Sequence, residues 1–318
     1  MNPFCRCALL LLLMLGSVPA GSQTRLACWN VENFFDVYDD TLTRDDAFTP
    51  QGDNHWTWRR FNQKRDMLFK TIAAMDYPAI VGLEEVENAA VLRQLCEGTP
   101  LRRMRYGFVH YDSPDPRGID CAMLYRKDVF RLLESCPLSL LRQPTRDVLL
   151  ATGVLPQGDT LCLLVLHAPS KRGGEDADRL RVVFCRLLLA TMDSLHRVYP
   201  GAWVVAMGDF NDTPQVIAQQ MAHRSDTTTE IPQNYMLDLS DSVASYKYQG
   251  QWVYLDQFIY IAPSHGTPCG GGTFVAPWLV TDDSRYLGVK PFRTYQAVAY
   301  QGGVSDHLPI YMDFLCDE

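Results

Sequence analysis

Asp209 and Asn211 stand two residues apart in Met207-Gly208-Asp209-Phe210-Asn211-Asp212-Thr213-Pro214, directly after the apolar run Ala202–Ala206. A short apolar run closed by glycine reads as a buried strand. Strand alternation puts positions i and i+2 on one side, so a carboxylate and a carboxamide address one ligand together. Thr213-Pro214 then reads as a helix N-cap followed by proline at the first helical position. Strand, polar pair and helix start make a corner suited to a phosphate or a metal ion. A plain Asp/Asn turn after a core strand fits the same eight residues, and this stretch alone leaves both readings open.

Polar residues also close other apolar runs. Asn30 and Glu32 end the first in Trp29-Asn30-Val31-Glu32-Asn33, and Glu84-Glu85 follow Ile80-Val81-Gly82-Leu83. His167 ends Leu161–Leu166 and leads into Ala168-Pro169-Ser170-Lys171-Arg172. Asp256 interrupts Val253–Ile261, and Ser305-Asp306-His307 precedes the last run, Leu308–Phe314. A single acid or histidine at a strand end is commonly a capped or salt-bridged structural residue. Asn, Glu, His, Asp and Asp-His at five strand ends point instead to one site, because ligands in α/β sheets gather at one set of strand ends.

The elements that must position these groups alternate along the chain. Arg25–Asn30, Ala79–Leu83, Cys121–Tyr125, Leu161–Leu166, Ala202–Ala206 and Val253–Ile261 read as strands. Trp58, Phe61, Leu68, Ile72 and Met75 share one helical face, and Leu180, Phe184, Leu187, Leu188, Met192 and Leu195 another. The pattern predicts one α/β domain over residues 21–318 with helices covering sheets. Residues 39–56, 222–234 and 263–273 read as loops, the last containing His265 and Gly270-Gly271-Gly272.

Of the 318 residues, 47% are hydrophobic and 21% charged, enough to bury a sizeable core. Arg6, the apolar run Ala8–Leu15 and Val18-Pro19-Ala20 predict a secretory signal over residues 1–20, cleaved near Ala20, and a product that is exported to the periplasm or medium without a transmembrane anchor. Ten cysteines, less Cys5 and Cys7, leave an even number in the exported chain. Cys28, Cys121, Cys162 and Cys185 lie in apolar runs, so buried thiols are expected rather than a disulfide framework. The formal charge of −8 excludes a uniformly basic nucleic-acid binder but not a nuclease with bound metal and a local basic rim.

Taken in order, Trp29-Asn30-Val31-Glu32-Asn33, Leu83-Glu84-Glu85-Val86, Leu166-His167-Ala168-Pro169-Ser170, Gly208-Asp209-Phe210-Asn211, Leu255-Asp256-Gln257-Phe258 and Ser305-Asp306-His307-Leu308-Pro309 resemble the motifs of the endonuclease/exonuclease/phosphatase superfamily, with His167 favouring its deoxyribonuclease-like or phosphatase-like side. The resemblance spans Asn30 to Pro309. It implies a four-layered α/β sandwich, with two mainly antiparallel mixed sheets packed face to face and helices outside. It implies a divalent cation, Mg2+ with Mn2+ or Ca2+ as alternatives, bound by Glu85 with Asn30 nearby and Asp306 as a further ligand or second-site acid, Glu84 facing away. Asp209 would handle the attacking water and Asn211 the phosphate. His307 would donate to the scissile group with Asp256 fixing its tautomer, and His167 would be a second catalytic histidine.

Phosphoryl transfer gathers negative charge on oxygen, which a hard cation, a charged imidazole and an amide donor all stabilise. An aspartate beside each imidazole would keep it protonated. Asp256 serves His307, and Asp120 is offered to His167, or is simply a strand-start acid paired with a surface cation. Glu32 and Asp120 are candidate support or second-metal acids; Arg117 and Arg172, with Lys171, are the local cations for phosphate. Tyr38, Trp56, Trp58 and Tyr111 are candidates for stacking on bases. The expected product is a monomeric, secreted, metal-dependent phosphodiesterase acting on nucleic acid. A phosphatase or phosphodiesterase for inositol phosphate or phospholipid head groups is the alternative. A non-catalytic binding protein of this fold would have lost metal or histidine positions, which are all present here.

Overall fold

Alternation along the strands sorts the apolar side chains into three layers. The computed structural model describes residues 23–171, 174–222, 235–240, 242–264 and 266–316. The segment 1–20 and its cleavage point, Arg172, His265 and nearly all of 222–234 lie outside the described residues.

The strands are β1 (Gln23–Phe34), β2 (Ile80–Val86), β3 (Tyr106–His110), β4 (Asp120–Arg126), β5 (Arg131–Leu138), β6 (Val148–Val154), β7 (Thr160–His167), β8 (Trp203–Asp209) and β9 (Tyr235–Met236). They continue as β10 (Tyr246–Tyr248), β11 (Gln251–Val253), β12 (Asp256–Ile261), β13 (Gly266–Thr273), β14 (Val280–Asp282), β15 (Val289–Pro291), β16 (Tyr295–Gln296), β17 (Ala299–Tyr300) and β18 (Ile310–Cys316). The helices are α1 (Trp58–Ala74), α2 (Ala89–Cys96), α3 (Gly174–Val198) and α4 (Pro214–Ala222), the last starting at the expected proline.

One six-stranded sheet runs β13-β18-β1-β2-β4-β3 and the other β5-β6-β7-β8-β12-β9. Each has one parallel pair, β1/β2 and β7/β8, among antiparallel neighbours. Between the sheets, Leu26, Cys28, Ile80 and Met123 meet Leu163, Val165, Val205, Met207 and Phe258. The alternate residues face outward. Ala27, Trp29, Val81 and Leu83 pack with Phe61, Leu68 and Ile72 of α1 and Val91, Leu92 and Leu95 of α2. Cys162, Leu164, Leu166, Val204 and Ala206 pack with Phe184, Leu188 and Met192 of α3 and Ile217 of α4. Helix, sheet, sheet, helix is the four-layered α/β sandwich with helices outside that the resemblance implies.

Residues 263–273 differ from the expected loop, because Gly266–Thr273 is an edge strand on β18, with a register shift between Pro268 and Gly270. Glycine offers no side chain to signal a strand, yet a Cβ on Gly271 would sit 2.5 Å from the Leu237 Cδ2. The backbone ladder and this close approach, not propensity, select the strand. The run Val253–Ile261 is likewise broken, with Asp256 opening β12. Five of the seven cysteines with described side chains are buried and no disulfide joins the seven, in line with the expected buried thiols. No helix among the described residues is long and apolar enough to cross a membrane.

Candidate active site

Strand parity carries the polar ends into the mouth between the sheets. Leu26 and Cys28 face the inter-sheet core, so Asn30 does too; the same count along the other strands brings Glu84, His167, Asp209 and Asp256 to that face. The parallel pairs end at this edge, and the antiparallel strand β12 begins there, which is why its first residue, Asp256, lies opposite Asp209. His167 is also paired with Asp209, across β7/β8.

At the centre, the His307 Nδ1 lies 2.7 Å from the Asp256 Oδ2, and its Nε2 lies 3.8 Å from the Asp209 Oδ2. That same Asp209 oxygen accepts from the Asn30 amide at 3.2 Å and is 3.5 Å from the His167 Nε2. The other Asp209 oxygen accepts the Asn211 backbone N–H at 2.8 Å. The loop carrying His307 is tied to β1: the Ser305 hydroxyl donates to the Asn30 carbonyl at 2.6 Å, and the Trp29 indole to the His307 carbonyl at 2.9 Å.

Burial opposes charge on the His307 imidazole, but Asp256, by charge and hydrogen bond, holds its pKa well above the usual imidazole range. His307 is therefore cationic at neutral pH. Burial pushes Asp209 up to about 7 against the lowering field of His307, a value suited to a proton acceptor. Burial, followed by the charges of Arg146, Arg117 and His307, drives His167 well below the imidazole range. The expectation of two charged imidazoles is thus corrected to one cationic and one neutral histidine.

The reason lies in the partners. Asp120 does not serve His167; its carboxylate lies 3.0 Å from the His110 Nε2 and accepts the Ser113 N–H at 2.9 Å. The Nδ1 of His167 has no hydrogen-bond partner among the described residues. Arg146, which no sequence signal marks, donates to the Ala168 carbonyl at 2.7 Å and to Asp115 at 3.0 Å.

Alternation alone would turn Glu84 toward the core and Glu85 away from the site. Glu84 does enter the inter-sheet layer, where it is fully buried against the Cys28 thiol at 2.9 Å, and burial with the Asp256 charge raises its pKa well above the carboxylate range. It lies beneath the site rather than facing away from it. Glu85 escapes the alternation through a left-handed backbone (φ 62°) at the β2/β4 register shift. Its carboxylate accepts the Asn33 N–H at 3.0 Å and lies 3.5 Å from the exposed Arg117 guanidinium. The left-handed Glu32 and Asn33 (φ 51° and 55°) similarly break β1, and Arg293 bonds both Glu32 (3.1 Å) and Asp306 (2.9 Å). Lys64 of α1 donates to the Glu32 carbonyl. Burial and Asp306 push Glu32 up to about 7, and burial pushes Lys64 down to about 8.

Asn30, Glu32, Glu85 and Asp306 offer only hard oxygen donors, which fits a divalent cation of the Mg2+, Mn2+ or Ca2+ type. Among the described residues, Asp209, Asp256 and His307 form one of two acid–histidine groups whose donor atoms lie within 4.8 Å of one another; His110, Asp112 and Asp120 form the other. In the first, a short imidazole–carboxylate hydrogen bond and an amide donor on Asp209 describe a proton-handling unit. A cavity of about 360 Å³ beside α4, lined by Pro214, Met236, Leu239, Tyr254 and Gln257, contains none of the site residues.

Other expected groups are placed differently. The Asn211 amide donates to the Ala168 carbonyl at 2.9 Å, and Lys171 pairs with Asp212 at 3.2 Å. Trp56 is in the core with its indole on the Phe35 carbonyl, and the Tyr111 hydroxyl is bonded to Ser135, so neither stacks at a rim. Tyr38 and Trp58 are exposed and in edge contact, with ring centroids 5.8 Å apart. Tyr246, unmarked in the sequence, lies with its ring 4.8 Å from that of His307. Lys64 could have been found, since it sits within the apolar stripe of Phe61 and Leu68.

Gly208 makes the bend before Asp209. Its φ is 147°, and a Cβ there would lie 1.9 Å from the Leu166 carbonyl oxygen. Gly208→Ala should destabilise the protein by about 3 kcal/mol or more. An unchanged urea midpoint would contradict this placement of the strand end.

Residues 25–315 match the Endonuclease/Exonuclease/phosphatase family. Among solved structures, humanized D. rerio TDP2 is 17% identical over 93% of this chain and 100% of its own, with a TM-score of 0.58. The human Nocturnin catalytic domain with bound sulfate is 18% identical, covering 92% and 94%, at 0.58. The mannosyl-6-phosphatase Bt3783 of Bacteroides thetaiotaomicron is 15% identical, covering 92% and 100%, at 0.59. No curated protein sequence matches significantly. With the family matched across nearly all of the described chain, the protein belongs to the endonuclease/exonuclease/phosphatase family of metal-dependent phosphoesterases.

Proposed function

We propose that this enzyme hydrolyses phosphodiester bonds of nucleic acid by in-line attack of water, as an exported, Mg2+-dependent, monomeric nuclease. The observation that carries the reading is the convergence of His307 and His167 on one oxygen of Asp209, at 3.8 and 3.5 Å. A diester needs a proton acceptor for water, a cation at the phosphoryl oxygens and a donor toward the leaving oxygen, and these three groups supply them. Asp209 takes the proton as the water oxygen bonds to phosphorus. His307, kept charged by Asp256, stabilises the negative charge on the phosphoryl group; neutral His167 can only offer a hydrogen bond to the departing oxygen, which takes its proton from water.

A divalent cation held by Glu85 and Asn30 would polarise the phosphoryl oxygen and stabilise the leaving group. Arg117, 47% exposed beside Glu85, and the exposed pair Tyr38 and Trp58 favour a polyanionic substrate with stacking bases. Arg6, the apolar run Ala8–Leu15 and Val18-Pro19-Ala20, read as a secretory signal, support the proposal of export.

Plasmid DNA, RNA and bis-p-nitrophenyl phosphate should be cleaved with Mg2+ and left intact with EDTA. Sugar phosphates and inositol phosphates should turn over at least about 100-fold more slowly, a gap of roughly 2.7 kcal/mol in activation free energy. Hydrolysis of the monoesters with the diesters untouched would replace this reading by that of a phosphatase.

A further inference from the structure

The acids at the cleft are balanced unequally. Glu85 faces one exposed guanidinium at 3.5 Å, a partner that a metal ion displaces at little cost. Glu32 and Asp306 are closed into a knot. The Arg293 Nε and one terminal nitrogen donate to the Glu32 Oε1 at 3.2 and 3.1 Å, and that same nitrogen reaches the Asp306 Oδ2 at 2.9 Å. The other Glu32 oxygen accepts the Thr294 N–H at 2.6 Å. Lys64 bonds the Glu32 carbonyl and the Thr294 hydroxyl, and that hydroxyl donates to the Val304 carbonyl at 3.0 Å. The Val304 N–H returns to the Phe292 carbonyl, so Arg293 and Asp306 ride on one strapped unit.

We propose that Arg293, backed by Lys64, is a positioning residue that stands in for a second metal ion: it holds Glu32 and Asp306 so that the cleft takes a single divalent cation, at Glu85 and Asn30. This rests on the phosphoesterase reading of the site. A guanidinium cannot lose its charge, and it satisfies a carboxylate pair in a fixed geometry. A second divalent ion at Asp306 would have to displace it in the field of Lys64. Glu32, Glu85 and Asp306 also do not form a group with donor atoms all within 4.8 Å of one another. The arrangement keeps Asp306 oriented next to His307 whether or not the metal is bound.

Mn2+ binding, followed by electron paramagnetic resonance and by calorimetry, tests this on the full chain. Wild type should bind one ion. Glu85→Gln should weaken it by more than about 100-fold, whereas Asp306→Asn should change its Kd by less than about threefold, because a ligand is lost in the first and not in the second. Arg293→Gln should bind a second ion, and Arg293→Lys, which keeps the charge, should not. Two ions in the wild type, a loss on Asp306→Asn as large as on Glu85→Gln, or no second ion in a folded Arg293→Gln would overturn the proposal. If Arg293→Gln does not fold, the wild-type count and the Asp306→Asn result decide. Unchanged Mn2+ affinity in Glu85→Gln would instead overturn the site assignment itself.

Discussion

His307→Ala is expected to lower kcat on a phosphodiester by about 10³-fold, or roughly 4 kcal/mol in activation free energy, with KM little changed. The magnitude follows from removing a buried cation aimed at negative charge that builds up further in the transition state. Its protonation has a visible consequence. Because Asp256 holds the imidazole charged well above its usual range, activity of the wild type should persist into alkaline solution rather than fall near pH 6.5. Asp256→Asn removes the raising charge while burial still lowers the pKa, so the alkaline limb should move to lower pH. A limb that stays in place would show that another group sets it. In the double variant the losses should not add, since the two residues act as one unit.

Asp209→Asn should be nearly as damaging to activity, by about 10²- to 10⁴-fold, and yet leave the fold intact. The carboxyl has a pKa near 4 in an unfolded chain and about 7 in the folded one, because burial disfavours its charge. A raised value means that its favourable contribution is full below pH 4 and is lost as the pH rises through 7. At pH 8 the folded protein carries a desolvated charge that asparagine does not have. The variant should therefore unfold at a temperature equal to or above that of the wild type at pH 8, and the advantage should disappear at pH 4. A large drop in melting temperature would make Asp209 a structural residue, and retained turnover would remove it from the proton-acceptor role.

The strands and their polar ends could be read along the chain because each is local: an apolar run, its parity and the residue that closes it lie within ten positions. That reading singled out Asn30, Glu85, His167, Asp209, Asp256, Asp306 and His307, of which the structure brings Asn30, His167, Asp209, Asp256 and His307 together. It failed where a local rule was suspended. The glycine-rich strand β13 has no side chains to report its pairing. Glu84 keeps the core-facing place that alternation assigns, whereas Glu85 leaves its own, because a left-handed residue at a register shift turns its carboxylate out. Arg293 and Arg146 sit in segments without a pattern, and their importance comes only from what they meet.

By itself, the sequence determined which chemistry is available: hard oxygen donors, two imidazoles and an amide at the ends of strands that alternation aims to one face. Which group serves which was decided by tertiary structure alone. Asn30 meets Asp209 across 179 positions and His307 meets Asp256 across 51, because the ends of two sheets close on one another. Asp120, 47 positions from His167 and plausible as its partner, was taken by His110, ten residues away on the adjacent strand. Pairing between charges depends on distance in space and on the water removed around them, and neither is encoded at any single position of the chain.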